Sequence, residues 1–145
     1  MALRLVSRLA GLFMLLALFL LLIRGQLFSR SPVVILAQLM AVIALVSARS
    51  RFVSGQFRVT ATPGEGPLLT GGPYRYVRHP MYAGALLLLW ASVIGHWTWA
   101  NAILAVLVSG AVAVRIREEE RALRQHFPGY EEYSRHTKRL VPGLF

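Results

Sequence analysis

The stretch GPYRYVRHPMYAGALLLLW, residues 72–90, places three basic side chains directly against an apolar run that begins at Met81. The basic residues are Arg75, Arg78 and His79, and two tyrosines and two prolines accompany them before Met81. Proline biases the residue before it away from helical geometry and suits the first turn of a helix. We therefore expect an extended segment that presents the His79 ring just before a membrane helix begins.

The composition of the chain indicates a small membrane protein. It has 145 residues, of which 56% are hydrophobic, and a formal net charge of +10. Such a charge can indicate nucleic-acid binding, but here the basic residues lie in the gaps between apolar runs, as in membrane proteins. We therefore expect membrane lipids as neighbours and no nucleic-acid partner. The sequence contains no cysteine, which excludes disulfides, thiolate metal sites and cysteine nucleophiles.

The apolar runs predict an all-α fold with about four transmembrane helices in a single domain, residues 1–145. No formal charge occurs from Met81 to Val114, and one helix of that length would be about 50 Å long, against a hydrocarbon core of about 30 Å. That run must therefore fold back, and the turn is predicted within GHWTWAN, residues 95–101. The first apolar run resembles a secretory signal, but no small-x-small cleavage site follows it, so we expect it to be retained. The predicted spans are about 8–24, 32–48, 80–95 and 99–115.

The distribution of lysine and arginine predicts the orientation of these spans. The loop 49–79 carries five arginines, the tail that begins at Arg115 carries seven lysines and arginines, and the turn 96–98 carries none. Because basic residues accumulate on the cytoplasmic side, we expect the loop, the tail and the N-terminus to lie there. An active site would then face the cytoplasm, where the loop, the base of the hairpin and the tail meet.

The loop ATPGEGPLLTGGPYRYVRHP, residues 61–80, is rich in glycine and proline, which favours turns and brings backbone close to a ligand. It is not a nucleotide-binding loop, because Leu69 stands where a third glycine is needed and no Gly-Lys-Ser/Thr follows. No metal site is predicted either, since His96, His126 and His136 lack the spacing of metal ligands.

The tail RIREEERALRQHFPGYEEYSRHTKRLVP, residues 115–142, has helical periodicity in Ile116, Leu123 and Phe127. Three of the six acidic residues in the chain, Glu118–Glu120, come just after the last predicted span. In one interpretation these carboxylates act together with the basic motif at the same membrane surface. In the other they belong to a solvated helix with spaced pairs such as Glu120 with Arg124.

The motif GPYRYVRHPMYAG, the hydrophobic hairpin and this tail together resemble the isoprenylcysteine carboxyl methyltransferase and phospholipid methyltransferase group of integral-membrane enzymes. The resemblance covers about residues 60–142, whereas the N-terminal spans, about 8–48, are too generic to align. It rests on Arg-His-Pro-x-Tyr before one span and Arg-x-x-x-Glu-Glu-x-x-Leu-x-x-x-Phe after the next. It implies methyl transfer from S-adenosylmethionine, in a helical membrane fold whose cytoplasmic loop and C-terminal helix cap the cofactor site.

The resemblance also implies roles for individual residues. The positions that match cofactor contacts are Tyr74, His79, Pro80, Tyr82 and Glu119 and, more loosely, Gly66, Pro67, Leu68 and Leu69. Arg115 matches the arginine at the substrate, and Arg115 and His79 are the catalytic candidates. The Arg115 guanidinium could hold a carboxylate acceptor through two hydrogen bonds. An amine acceptor would instead need a proton removed, for which His79 or a glutamate of the tail is a candidate.

The acceptor and two other functions stay open at this point. The acceptor could be a prenylated-cysteine carboxylate, a phospholipid headgroup amine, or a small hydrophobic thiol or carboxylic acid. A small four-span transporter is disfavoured because every acidic residue lies outside the predicted spans, whereas transporters need ionisable groups within the membrane. A non-catalytic scaffold protein is the other alternative, and the sequence does not predict the oligomeric state.

Overall fold

The structure, a computed structural model, describes residues 2–52 and 66–142. Over these residues the regular elements are helices, and the only β-type pairing is an isolated bridge between Val77 and Lys138, which agrees with the predicted all-α class. The α-helices are α1 (Ala2–Ile23), α2 (Pro32–Arg49), α3 (Pro80–Gly95), α4 (Trp99–His126) and α5 (Tyr130–His136). A short 3-10 helix, Gly72–Arg75, precedes α3.

The predicted turn between the last two apolar helices is confirmed. Helix α3 ends at Gly95, and the Thr98 hydroxyl caps α4 by accepting a hydrogen bond of 3.1 Å from the Asn101 backbone N–H. Helix α4 does not stop near residue 115 but continues to His126, so the Glu118–Glu120 run lies on the same helix as the fourth apolar run. The helix can continue because Leu123 keeps the apolar period and Arg121 pairs with Glu118 at 3.0 Å.

Two pairs of antiparallel helices build the bundle. The start of α3, at Gly84, lies against Ala41 and Leu45 in the second half of α2, and its end, at Gly95, lies against Val34 near the start of α2. At the same end of the bundle the Asn101 amide of α4 donates to Gln26, just after α1, at 3.1 Å. The connections 24–31 and 96–98 therefore meet at one end of the bundle, and the basic motif and the tail meet at the other.

Small side chains bring the helices close together. The main core joins α1, α3 and α4, and alanine supplies several of its positions. Its members are Met14, Ala17, Leu21, Leu89, Val93, Ala102, Ala105, Val108, Val112 and Ile116. Alanine and glycine at helix contacts allow close backbone approach, which is how helices associate where no aqueous hydrophobic effect drives them together.

A buried polar cluster closes the end of the bundle away from the basic motif. The Gln38 amide donates to the Leu27 carbonyl at 2.6 Å and to the Ser92 hydroxyl at 3.1 Å. Ser92 in turn donates to Leu27 at 2.8 Å. Because buried polar groups need partners, these bonds fix the connection after α1 against α2 and α3.

The outer faces of α1 and α2 carry large apolar side chains, such as Leu16, Phe19, Leu36 and Ile43, each more than half exposed. Apolar surface on this scale indicates contact with a membrane or a partner. Among the described helices, α2 and α4 are long and apolar enough to cross a membrane, by length and composition. The apolar parts of α1 and α3 are shorter, so membrane crossing by these two helices stays a prediction.

The contact of α3 with α2 makes a prediction at Gly84. A Cβ added there would lie 2.9 Å from Leu45 Cγ and 3.0 Å from the Ala41 carbonyl oxygen, so Gly84→Ala must push the two helices apart. Overpacking of this kind costs about 1–3 kcal/mol. We expect a lower midpoint of thermal unfolding in detergent, measured by circular dichroism.

Gly110 of α4 is the matched control, because a Cβ there meets nothing within 4 Å. Gly110→Ala should leave the midpoint unchanged or raise it, since alanine favours helix over glycine. Equal effects of the two substitutions would contradict the close α2–α3 packing.

Candidate functional site

A glycine turn shapes the start of the basic motif. Gly72 has a φ of 61°, which L side chains rarely adopt, and its α-carbon packs against the Arg51 guanidinium. A Cβ at this position would lie 2.5 Å from Arg51 Nε. Gly72 therefore permits both the turn and the close approach to Arg51. The 3-10 helix that begins at Gly72 contains Tyr74 and Arg75.

The second half of the motif pairs with the C-terminal tail. The backbone N–H groups of Arg78 and His79 donate to the carbonyls of Lys138 and Arg139, at 2.7 and 3.0 Å. Lys138 N–H donates back to the Tyr76 carbonyl at 3.2 Å. Residues 76–79, the motif segment, and 137–139, the tail segment, are therefore held side by side. No local sequence pattern indicates this pairing, beyond the expectation that both segments lie at one membrane face.

A buried carboxylate joins the motif segment and the tail segment to α4. Glu120 is only 1% exposed, and it accepts from Arg78 Nε at 2.9 Å and from Arg139 Nη2 at 3.0 Å. His79 Nε2 lies 3.5 Å from Glu120 Oε1, and Arg124 Nη2 lies 3.8 Å from Oε2. The hydrogen bonds from Arg139 to Glu120 raise the pKa of the Arg139 guanidinium above its ordinary value. Opposite charges so arranged stabilise each other in a poorly hydrated environment.

Sequence reasoning missed Glu120 as a buried group. It weighed a solvated pair of Glu120 with Arg124, but the contacts to Arg78 and Arg139 are shorter and Glu120 is not solvated. Glu118 instead makes a spaced pair with Arg121, and in that pair the Arg121 side chain is 69% exposed and the Glu118 side chain 19% exposed. Three consecutive glutamates give no local signal for which one is buried.

A second chain of contacts joins α3 to α4. The Tyr82 hydroxyl donates to Glu119 Oε2 at 2.9 Å and accepts a hydrogen bond from Arg115 Nε. Arg115 is 3% exposed, and its guanidinium carbon lies 5.8 Å from the centre of the Tyr82 ring. The centre of the His79 ring, in the motif segment, lies 5.7 Å from the centre of the same Tyr82 ring. The structure thus brings His79, Tyr82, Arg115 and Glu119 together around one tyrosine.

Tyr74, another predicted cofactor contact, is held in place by Tyr133 of helix α5. The Tyr133 hydroxyl donates to the Tyr74 carbonyl at 2.6 Å, and the Phe52 ring packs edge-on against the Tyr74 ring with centroids 6.0 Å apart. Burial, with the negative charge of Glu119 as the next cause, raises the pKa of the Tyr74 hydroxyl above its ordinary value. Burial likewise raises the pKa of Tyr133 to about 12. Both phenols therefore stay neutral and act as hydrogen-bonding groups.

The remaining predicted residues are Pro80 and the segment 66–69. Pro80 is buried at the first turn of α3, as expected. Gly66 and Pro67 are exposed, Leu68 and Leu69 are half-buried, and Gly66 has a φ of 109°. The role of residues 66–69 at the cofactor site stays a prediction. Within the described part of the chain, no group of three or more acidic, histidine or cysteine side chains is placed to hold a metal ion.

Comparison with known protein sequences identifies relatives of this chain. The chain is 35% identical over 105 residues to methanethiol S-methyltransferase 2 of Bradyrhizobium diazoefficiens, an alignment that covers 70% of the chain and 38% of that protein. It is 36% identical over 78 residues to the cobalt-zinc-cadmium resistance protein CzcN of Cupriavidus metallidurans, covering 53% of the chain and 36% of the relative. Identity to methanethiol S-methyltransferase of Crocosphaera subtropica is 37% over 72 residues, covering 49% and 28% of the two chains.

The chain spans about a third of the length of these curated relatives. No solved structure matches it. The profile of the phospholipid methyltransferase family, however, matches residues 32–129, which include α2, α3, α4 and the basic motif between them. Since this match extends over more than half of the sequence, the chain belongs to the phospholipid methyltransferase family.

Proposed function

We propose that this protein transfers a methyl group from S-adenosylmethionine to a lipophilic acceptor at the cytoplasmic face of a membrane. The observation that carries the proposal is the grouping of His79, Tyr82, Arg115 and Glu119 where apolar helices give way to a polar cap. Such a site can join a polar donor to an apolar acceptor. Membership of the phospholipid methyltransferase family and the names of two relatives support methyl transfer.

The residues present fit S-adenosylmethionine. Glu119 is half-buried and negatively charged, which suits an ammonium group or ribose hydroxyls. His79 Nε2 is buried, lies 3.5 Å from Glu120 Oε1 and makes no hydrogen bond to the described residues, so it can bond to a ligand beside that carboxylate. When bound, S-adenosylmethionine supplies an electrophilic methyl group on a sulfonium cation. We propose that Glu119, His79, Tyr74, Tyr82, Pro80 and residues 66–69 line this cofactor site.

Arg115 is the proposed acceptor-side residue. The hydrogen bond from Arg115 Nε to the Tyr82 hydroxyl fixes the plane of the guanidinium, so its donors keep one orientation. Methyl transfer by in-line displacement needs no covalent nucleophile, and the chain contributes by orienting the reactants and excluding water. Orientation of this kind is worth roughly 7–11 kcal/mol in well-placed intramolecular reactions. For an amine acceptor, the His79 imidazole or a glutamate of the tail is the proposed proton acceptor.

Three acceptor classes fit the site. An isoprenylcysteine-type carboxylate matches the charge of Arg115, and a phospholipid headgroup amine matches the name of the family. The methanethiol S-methyltransferases among the relatives favour a small hydrophobic thiol. A non-catalytic scaffold or transporter would not need a buried, hydrogen-bonded Arg115 beside a half-buried carboxylate.

The membrane arrangement proposed for this site has four spans. Exposed apolar side chains on α1 and α2 support it, as does the excess of arginine at the end that carries the motif. Helix α3 is about 24 Å long, shorter than a hydrocarbon core of about 30 Å. Trp97 and Trp99 are exposed at the turn and suit the interface, where local thinning of the bilayer accommodates a short span.

Single cysteines test the orientation, since the natural sequence contains none. Ser31→Cys lies in the connection before α2, and Thr70→Cys lies in the motif loop, and both positions are exposed. In intact cells an impermeant thiol reagent should label Ser31→Cys, whereas Thr70→Cys should be labelled only after the membrane is opened. The reverse pattern would contradict the orientation, and equal labelling of the two would contradict an odd number of crossings between them.

Glu119→Gln tests the cofactor site without changing its shape, because a glutamine oxygen can still accept from Tyr82. Loss of the charge should weaken S-adenosylmethionine binding by about tenfold or more, as expected for a charged hydrogen bond worth about 1.5–3 kcal/mol. Titration calorimetry measures the change. Glu118→Gln removes the same charge one position earlier, where the partner is the exposed Arg121 and not Tyr82, and should bind as the unchanged protein does. Equal affinities for all three proteins would remove Glu119 from the cofactor site.

Labelled methyl transfer tests the reaction and the role of Arg115. The protein is incubated with labelled S-adenosylmethionine and an extract of lipids and small molecules, and the labelled product identifies the acceptor. With that acceptor, Arg115→Lys should keep cofactor affinity but lose kcat/KM by an amount worth about 1.5–3 kcal/mol if the acceptor is anionic, since lysine lacks the planar pair of donors.

Arg117→Lys is the control for that substitution, because Arg117 is exposed on the same helix. It should keep full activity. Near-normal turnover of Arg115→Lys with an anionic acceptor would contradict the proposed contact of Arg115 with that acceptor. A protein that neither binds S-adenosylmethionine nor yields a labelled product would overturn the proposed function.

A further inference from the structure

Glu120 has no role in the proposed reaction, yet it is among the most deeply buried side chains of the described residues. Its hydrogen-bond partners come from two segments outside α4. Arg78 of the motif segment contacts one carboxylate oxygen, and Arg139 of the tail segment contacts both, at 3.2 Å and 3.0 Å. A carboxylate with that arrangement acts as a clamp between two pieces of chain.

Arg78 extends the clamp to α5. Besides Glu120, its Nη1 group donates to the Ser134 carbonyl at 2.8 Å and to the Thr137 carbonyl. One guanidinium therefore links α4, the end of α5 and the tail segment at the same time. A planar group with several donors can do this, whereas a lysine cannot.

His79 is the functional candidate that this clamp holds. Its backbone N–H donates to the Arg139 carbonyl at 3.0 Å, and its ring Nε2 lies 3.5 Å from Glu120 Oε1. Movement of Arg139 or of the Glu120 carboxylate would therefore shift both the main chain and the ring of His79. The Tyr82 ring, 5.7 Å away, lies next to the same imidazole and contacts Glu119.

We infer that Glu120 is a positioning residue, which clamps the motif segment and the tail segment together and thereby fixes the His79 ring toward the cofactor. The inference rests on the proposed function for the identity of that ligand. Glu120 acts through His79 and does not itself touch the cofactor. The tail segment 137–139 is accordingly part of the site, although it lies beyond the end of the family match at residue 129.

The neighbouring glutamates offer matched comparisons. Glu118 pairs with Arg121, whose side chain is 69% exposed, so its loss should affect neither segment. Arg139 has a side chain that is 32% exposed, so Arg139→Gln removes one arm of the clamp while Arg78 still neutralises Glu120. Glu120→Asp keeps the charge but withdraws it by one methylene group.

The experiment measures two quantities in the full-length protein: S-adenosylmethionine affinity by calorimetry, and the ring resonances of His79 in histidine-labelled protein by NMR. The chain has four histidines, so His79→Gln assigns the resonance. We expect Glu120→Gln to weaken binding at least tenfold and to move the His79 resonance without ligand. Glu118→Gln should do neither.

Arg139→Gln and Glu120→Asp should change both quantities in the same direction, by about threefold or more in affinity. The double variant of Glu120→Gln and Arg139→Gln should bind no more than about twofold more weakly than Glu120→Gln alone, because both substitutions remove one shared contact. If the loss of affinity in the double variant equals the product of the losses in the two single variants, the clamp is overturned. If Glu120→Gln does not fold, Arg139→Gln and Glu120→Asp decide the question by the same two measurements.

The outcomes separate this inference from the proposed function. An unmoved His79 resonance and unchanged affinity in Glu120→Gln, or in Arg139→Gln and Glu120→Asp, would overturn the positioning role while leaving the function intact. If the unchanged protein does not bind S-adenosylmethionine, the proposed function fails. The His79 resonance then decides the positioning role by itself, since a shift in Glu120→Gln supports it and no shift overturns it.

Discussion

The rest of this structure depends on one buried charge, the Glu120 carboxylate. A carboxylate that is 1% exposed is costly unless cations neutralise it, and α4 supplies only Arg124, at 3.8 Å. Closer cations must come from elsewhere in the chain, and they come from the motif segment and the tail segment. The cost of leaving Glu120 unpaired therefore disfavours any arrangement in which the polar cap separates from the helices. This constraint holds the motif segment, the tail segment and the polar part of α4 together.

The helical bundle makes that constraint useful. Close contacts between α2 and α3, permitted by Gly84, and antiparallel pairing of α1 with α4 bring the start of α3 and the polar part of α4 to the same end. Tyr82 on α3 can then reach both Arg115 and Glu119 on α4. The opposite end is closed by hydrogen bonds among Gln38, Ser92 and Leu27. The end that contains Gln38 and Ser92 is thus closed by hydrogen bonds, and the proposed site lies at the opposite end.

Two of the three carboxylates on α4, Glu119 and Glu120, have different roles in the function proposed here. Glu119 remains half-buried and shares a hydrogen bond with Tyr82, so it can meet a ligand. Glu120 is saturated by guanidinium groups and serves the architecture of the site. Charges in a poorly hydrated environment interact more strongly than in water, so a site assembled in this way holds its geometry against the entropy of long side chains. The family match ends at residue 129, yet the tail segment contributes one cation, Arg139, to the same cluster.

The sequence by itself determined the local features of this protein. Proline before an apolar run placed the start of α3 at Pro80, and the uncharged run from Met81 to Val114 required the turn that α3 and α4 make. The spacing of Arg115 and Glu119 put them on one helix face, but only the tertiary structure placed the Tyr82 hydroxyl of another helix between them. Likewise, successive helix positions differ by about 100° in direction, so Glu118, Glu119 and Glu120 point three ways and no local pattern ranks them. Glu120 is the buried one because the motif segment and the tail segment, distant along the chain, fold over that direction and bring the cations that it needs.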